Sequence, residues 1–198
     1  MNLRKPFIVE FTGTPEAGKT TVINILYKQF SEMGYKVKLY PESAENTPTI
    51  FPKGSFESKL WMNFDTTKHV LEAPFQTEYD IILFDRGAFD SLFFVHLDSI
   101  YNSEIALRLA PFENILKDYF PDLLIAFFVS VDESIRRRGG EGRLVTKEFV
   151  SNYNRLLTTF INSLETNKGI IHTDDKSIEE VVETVKSLIL ENIKRHSS

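Results

Sequence analysis

The chain has 198 residues, a formal net charge of −5, 42% hydrophobic and 26% charged residues, and no cysteine. This length favours one domain over residues 1–198, and the composition is typical of a globular protein. The missing cysteines exclude disulfides and thiolate chemistry, and the acidic balance argues against a nucleic-acid or acidic-membrane partner. Without a signal-peptide pattern or an apolar run of membrane-spanning length, we expect a cytoplasmic protein with no membrane partner.

The most informative stretch is GTPEAGKT, from Gly13 to Thr20, which matches the phosphate-binding pattern G-x-x-x-x-G-K-T. Apolar, β-branched residues over 7–12 predict a strand before it, and apolar residues at helical spacing over 20–33 predict a helix after it. In that context the backbone N–H groups of the loop face a phosphate chain, Lys19 reaches the β- and γ-phosphates, and the Thr20 hydroxyl binds Mg²⁺. ATP and Mg²⁺ are thus the expected cofactors, and the predicted nucleotide-binding loop residues are Gly13, Thr14, Pro15, Glu16, Ala17, Gly18, Lys19, Thr20 and Thr21.

A second strand is predicted over 36–40, and Glu42 follows Pro41 at its carboxyl end. Ligands of open α/β sheets bind at the carboxyl ends of strands, so Glu42 is either a functional acid or a solvated loop acid.

The segment over 43–75 is a candidate substrate-binding insertion that contains a loop over 46–55 and a predicted helix over 56–73. Its aromatic residues either line a pocket for a planar base or belong to the core, and they are Phe51, Phe56, Trp61 and Phe64.

An apolar run over 79–85 predicts a buried parallel strand that ends at Asp85, with Arg86 directly after it. At that position a carboxylate can bind Mg²⁺ or accept the proton of a substrate hydroxyl, and a guanidinium can bind phosphate. A structural ion pair is the alternative. We favour a functional pair because charged groups near a phosphate loop concentrate at functional sites.

Further helices are predicted over 89–100 and over 102–119, where Pro111 is expected to kink or split the helix. A buried strand over 123–131 leads through a short helix into RRRGGEGR, residues 136–143. Arginines beside glycines predict a mobile basic lid over about 136–144, as opposed to a solvated basic turn.

The chain is predicted to finish with a helix over 146–164, a strand over 169–172 and a helix that begins near Ile178. The four histidines show no metal-ligand spacing. The guanine-binding pattern N-K-x-D is also missing, which argues against a regulatory GTPase.

Together these motifs resemble the P-loop nucleoside and nucleotide kinases, among them thymidylate kinase, deoxynucleoside kinases and ribosylnicotinamide-kinase-like ATPases. The resemblance implies a three-layer α/β P-loop NTPase fold, with a parallel five-stranded sheet of order 2-3-1-4-5 flanked by helices and an Arg-rich lid. It covers nearly the whole chain and is carried by Gly13–Thr20, Glu42, Asp85-Arg86, Arg136–Arg143 and the strand-loop-helix from Gly169.

The same resemblance implies Mg²⁺-dependent transfer of the ATP γ-phosphoryl group to a small molecule, either a nucleoside or a nucleoside monophosphate. By position it makes Lys19 and Thr20 the triphosphate and Mg²⁺ ligands, Asp85 a base or metal-organising acid, and Arg86 the substrate-side arginine. The lid arginines follow in the same way, with Arg137 assigned to the nucleotide and both Arg138 and Arg143 to catalysis.

Two departures leave the acceptor open. Thymidylate kinases have Arg-Glu-Pro where this chain has Pro41-Glu42-Ser43, and deoxynucleoside kinases have Glu-Arg-Ser where it has Asp85-Arg86-Gly87. Either Asp85 or Glu42 could be the base. A homodimer is one possibility for the assembly, and the alternative function is that of a regulatory or assembly ATPase without a small-molecule acceptor.

Overall fold

The computed structural model describes residues 5–142 and 145–196. In these residues the strands are β1 (Phe7–Gly13), β2 (Val37–Tyr40), β3 (Ile81–Asp85), β4 (Leu123–Phe128) and β5 (Lys168–His172). The α-helices are α1 (Lys19–Glu32), α2 (Phe56–Glu72), α3 (Ala88–Tyr101), α4 (Ser103–Leu116), α5 (Val131–Arg138), α6 (Lys147–Asn162) and α7 (Ile178–His196). Short 3-10 helices lie at Ser43–Asn46 and Ala73–Phe75.

The strands form one parallel sheet of order β2-β3-β1-β4-β5, which confirms the predicted topology. Strand β1 is central, and its register pairs Phe11 with Asp85 and Gly13 with Phe127. The phosphate loop therefore leaves the sheet directly beside the end of β3. This register brings Asp85 and the loop to the same edge, although they are far apart in the sequence.

Helices cover both faces of the sheet, so the molecule has three layers. On one face Val9 and Phe11 of β1 pack with residues of α1 and α7. On the other face Leu124 and Ala126 of β4 pack with residues of α3 and α6. Burial on both faces explains the near-continuous apolar runs of the central strands, since each fully buried large side chain stabilises the fold by roughly 1.5–3 kcal/mol.

Two predicted features differ from the structure. Helix α4 continues through Pro111, so a split there was wrong. Strand β4 ends at Phe128 rather than at residue 131 because Ser130 begins the next helix, where its hydroxyl accepts a hydrogen bond from the Glu133 N–H. Within the described ranges, no helix is long and apolar enough to cross a membrane.

Candidate active site

The phosphate loop begins at a glycine that no other residue could replace without strain. Gly13 has a φ of 141°, and a Cβ there would lie 2.0 Å from the carbonyl oxygen of Phe127. The next residue, Thr14, donates its N–H to that same carbonyl at 2.9 Å. Gly18, with a φ of 88°, ends the loop directly before α1. The loop therefore joins the central strand to a helix N-terminus, a geometry that suits an anion.

Side chains from two other helices hold this loop in place, and the sequence motifs did not predict them. From α6, the Tyr153 hydroxyl donates to the Gly13 carbonyl at 3.3 Å, and Asn154 Oδ1 accepts from the Thr14 hydroxyl at 2.6 Å. From α5, the Ser134 hydroxyl donates to the Pro15 carbonyl at 2.9 Å. The loop conformation thus depends on residues more than a hundred positions away in the chain.

Lys19 is buried at the start of α1, with 7% of its surface exposed. Its ammonium donates to the carbonyl oxygens of Gly13 and Thr14 at 3.3 and 3.4 Å. Burial, with the positive charge of Arg86 as the next cause, lowers the pKa of Lys19 to about 8. A bound anion would offset both effects, so this lysine suits contact with phosphate.

Thr20 and Asp85 meet where the loop passes the end of β3. The Thr20 hydroxyl donates to Asp85 Oδ2 at 2.5 Å, while the buried Oδ1 atom of Asp85 has no hydrogen-bond partner. Burial raises the pKa of Asp85. Hydroxyl and carboxylate oxygens are the ligands that Mg²⁺ prefers, usually together with phosphate oxygens and water. These two residues therefore fit a Mg²⁺ ion, and metal binding by them stays a prediction.

Arg86 adopts a left-handed conformation, with a φ of 70°, and turns its buried guanidinium towards two carboxylates. Its Nη1 atom donates to Asp90 Oδ1 at 3.0 Å, and its Nε atom lies 2.9 Å from Glu42 Oε1. Burial opposes this charge, but Asp90, Tyr153 and Glu42 outweigh it and raise the pKa of Arg86. The structure thus brings Glu42, Asp85 and Arg86 together, and Glu42 is paired rather than only solvated.

Two further buried acids belong to this cluster, and neither was among the predicted site residues. Asp90 Oδ1 also accepts from the Thr12 hydroxyl at 3.0 Å, and burial raises the pKa of Asp90. Glu10 is 2% exposed, and burial, followed by repulsion from Asp90, raises its pKa to about 8. A single acid inside the apolar strand FIVEFTG, and an acid four residues after Arg86, were the available signals.

Three arginines of the predicted lid, Arg136, Arg137 and Arg138, lie at the end of α5. Arg137 donates to the Glu16 carbonyl at 3.3 Å and to the Thr173 carbonyl at 2.8 Å. Arg138 Nη1 lies 3.4 Å from Glu16 Oε1, whereas Arg136 is mostly exposed and pairs with Glu133. These contacts bring Arg137 and Arg138 to the phosphate loop. Closure of a lid stays a prediction, and Arg143 lies outside the described residues.

The segment over 43–75 packs through α2 against the neighbouring helices. Phe56 lies beneath the Arg108 guanidinium of α4, at 3.3 Å from ring centre to guanidinium carbon. Phe64 is 61% exposed and contacts the Phe112 ring edge-on. Both rings therefore face α4. Substrate binding by this segment stays a prediction.

Comparisons with known proteins bear on the fold. No protein-family model matches the chain. A stretch of 57 residues is 37% identical to a probable adenylyl-sulfate kinase of Archaeoglobus fulgidus and spans 29% of this chain but only 37% of that relative. A deoxyadenosine kinase of M. mycoides, solved with dCMP and a flexible dCDP, superposes with a TM-score of 0.71 over 93% of this chain and 99% of its own, at 19% identity. At that identity the likeness establishes the fold, so the chain has the fold of the P-loop kinases.

Proposed function

We propose that the protein is a P-loop kinase that transfers the γ-phosphoryl group of ATP, with Mg²⁺, to a hydroxyl group of a small nucleoside-like molecule. One observation carries this proposal. The phosphate loop with Lys19 and Thr20 lies against a buried acid and arginine, Asp85 and Arg86, and a second acid, Glu42, pairs with that arginine. A module that only binds a nucleotide has no evident need for this second group of charges.

On the donor side the loop amides and Lys19 would hold the β- and γ-phosphates. Thr20 and Asp85 would hold Mg²⁺, which neutralises charge that develops on the transferred group. Arg138, 3.4 Å from Glu16 of the loop, is positioned to exchange that carboxylate for a phosphate oxygen. Together these contacts would stabilise a loose transition state by position and charge rather than by covalent chemistry.

On the acceptor side Glu42 suits the role of base better than Asp85. The Glu42 side chain is 31% exposed, and its carboxylate is held by Arg86 at 2.9 Å. Asp85 is 2% exposed, and its Oδ2 atom already accepts from Thr20. An acceptor hydroxyl can reach an accessible carboxylate, whereas Asp85 is buried and would be occupied by the Mg²⁺ ion.

The charges around Arg86 favour a nucleoside over a nucleoside monophosphate. One guanidinium is shared by two carboxylates, those of Glu42 and Asp90. A dianionic phosphate entering this cluster would meet an excess of negative charge, and like charges in a partly buried site repel strongly. A neutral sugar instead carries hydroxyl groups, which can donate hydrogen bonds to carboxylates.

A screen for acceptor-dependent ADP release tests the proposal. The panel contains nucleosides, their monophosphates and adenylyl sulfate, with deoxyadenosine and deoxycytidine first because of the M. mycoides structure. We expect nucleosides to stimulate ADP release and Lys19→Met to lower the rate by about 100-fold or more. If only monophosphates stimulate ADP release, the protein is still a kinase, but the proposed nucleoside acceptor is wrong. ADP release that no acceptor stimulates would instead indicate a regulatory ATPase.

A further inference from the structure

We infer, on the basis of the proposed function, that Glu10 is a positioning residue of the active site. Its carboxyl group fixes the turn Asp85-Arg86-Gly87 and so determines where the Arg86 guanidinium points. Its side chain accepts hydrogen bonds from the backbone N–H groups of Gly87, Phe89 and Asp90, which are not among the predicted phosphate or metal ligands. It acts through the backbone of the residues that follow Arg86.

The first contact is with the N-terminus of α3. The first amides of a helix have no partner inside the helix, and here the capping position is Gly87, which has no side chain. Glu10 of β1 supplies the missing acceptor from the neighbouring strand. Its Oε1 atom accepts from the N–H groups of Gly87 at 2.7 Å and Asp90 at 2.9 Å, and Oε2 accepts from Phe89 at 3.0 Å.

The second contact is steric and explains the glycine. A Cβ built on Gly87 would lie 2.9 Å from Glu10 Oε2 and 3.0 Å from its carboxyl carbon. Any side chain at this position would push the carboxylate away from the helix. Glu10 of β1 and Gly87 at the start of α3 are therefore matched to each other.

The third point is conformational strain at Arg86. A left-handed φ of 70° is unfavourable for a residue with a side chain and persists only where the surroundings hold it. Two hydrogen bonds from β1 hold this turn: the Arg86 N–H donates to the Phe11 carbonyl at 3.1 Å, and the Gly87 N–H donates to Glu10. Without the second bond the turn can relax, and the guanidinium would leave Glu42 and Asp90.

A double-mutant cycle tests this role. We expect Glu10→Gln to lower kcat by about 100-fold with little change in the KM for ATP, because a small displacement of a catalytic group costs about that much. In the background Arg86→Lys the same substitution should cost only a few-fold, because the group that Glu10 positions is already altered. Glu10→Asp, which keeps the carboxyl group on a side chain one methylene shorter, should recover part of the rate.

Asp122→Asn is the matched control. Asp122, like Glu10, accepts a hydrogen bond from a backbone N–H, that of Ile8 at 2.7 Å, but this contact lies near the end of β1 that is away from the phosphate loop. We expect this variant to lower the thermal midpoint and to combine additively with Arg86→Lys. If the effects of Glu10→Gln and Arg86→Lys were also additive, Glu10 would have only a structural role, and the inference would be wrong.

A second readout needs no catalysis. The Arg86 Nε–H signal in a ¹⁵N NMR spectrum, assigned by its loss in Arg86→Lys, should shift or broaden in Glu10→Gln and stay in place in Asp122→Asn. An unchanged Arg86 signal in Glu10→Gln would contradict the positioning role. If the wild-type protein phosphorylates no acceptor, the proposed function fails, and this spectrum still decides the role of Glu10.

Discussion

Lys19 provides a prediction that follows directly from its burial. With a pKa of about 8 in the free protein, roughly half of the Lys19 side chains are neutral at pH 8. A bound β-phosphate stabilises the charged form and restores the ordinary pKa. Nucleotide binding should therefore take up about half a proton per molecule at pH 8 and about 0.03 proton at pH 6.5.

Calorimetric titration with MgADP measures this uptake without turnover. The observed enthalpy is plotted against the ionisation enthalpy of several buffers, and the slope of the line is the number of protons taken up. Lys19→Met should reduce the slope at pH 8 to near zero. The control is Lys38→Met, which removes a lysine of β2 that lies over the rings of Tyr40 and Tyr79, and it should leave the slope unchanged.

A zero slope for the wild-type protein at pH 8 would refute the reasoning, since binding would then not change the protonation of Lys19. A slope that survives in Lys19→Met would assign the proton to another group. Either result would also count against the proposed contact between Lys19 and the phosphates.

Three further predictions concern stability and metal binding. Gly13→Ala should destabilise the fold by about 2–4 kcal/mol, because the added Cβ would clash with the Phe127 carbonyl. The control Gly34→Ala, which is also at positive φ but has open space around it, should destabilise the fold by only about 1–2 kcal/mol. Thermal unfolding measures both changes. Thr20→Val, which keeps the shape of the side chain but loses the hydroxyl, should raise the Mg²⁺ concentration needed for half-maximal activity by about 10- to 100-fold, with little change in thermal midpoint. An unchanged Mg²⁺ titration would show that Thr20 is not a metal ligand. The pKa of Glu10 is about 8 in the folded state and 4.5 in the unfolded state, so the folded state binds this proton more tightly. The free energy of unfolding should therefore fall as the pH rises from about 4.5 to about 8. Urea unfolding across this range should show a decline on the order of a few kcal/mol that flattens in Glu10→Gln.

The amino-acid sequence alone determined the fold class and the position of the phosphate loop. The pattern from Gly13 to Thr20 constrains a short local structure, since it needs only a strand before it, a helix after it and glycines where the backbone requires them. The apolar runs of the central strands predicted a parallel sheet for a similar local reason. The sequence also indicated Asp85, Arg86 and Glu42, because each lies at or just after the predictable carboxyl end of a strand.

Only the tertiary structure decided how these residues are held. Glu10, Thr12 and Asp90 become partners because strand register and the start of α3 bring them together, and Tyr153 and Asn154 reach the loop from a helix some 140 positions later in the chain. The N-terminus of α5 shows the same limit. The Ser130 hydroxyl accepts from the Glu133 N–H, but the Glu133 carboxylate pairs with Arg136 and Arg137, and the Ser130 N–H donates to Asp174 of a distant loop. Local patterns specify which groups need partners, whereas packing between distant elements decides which partner each group finds.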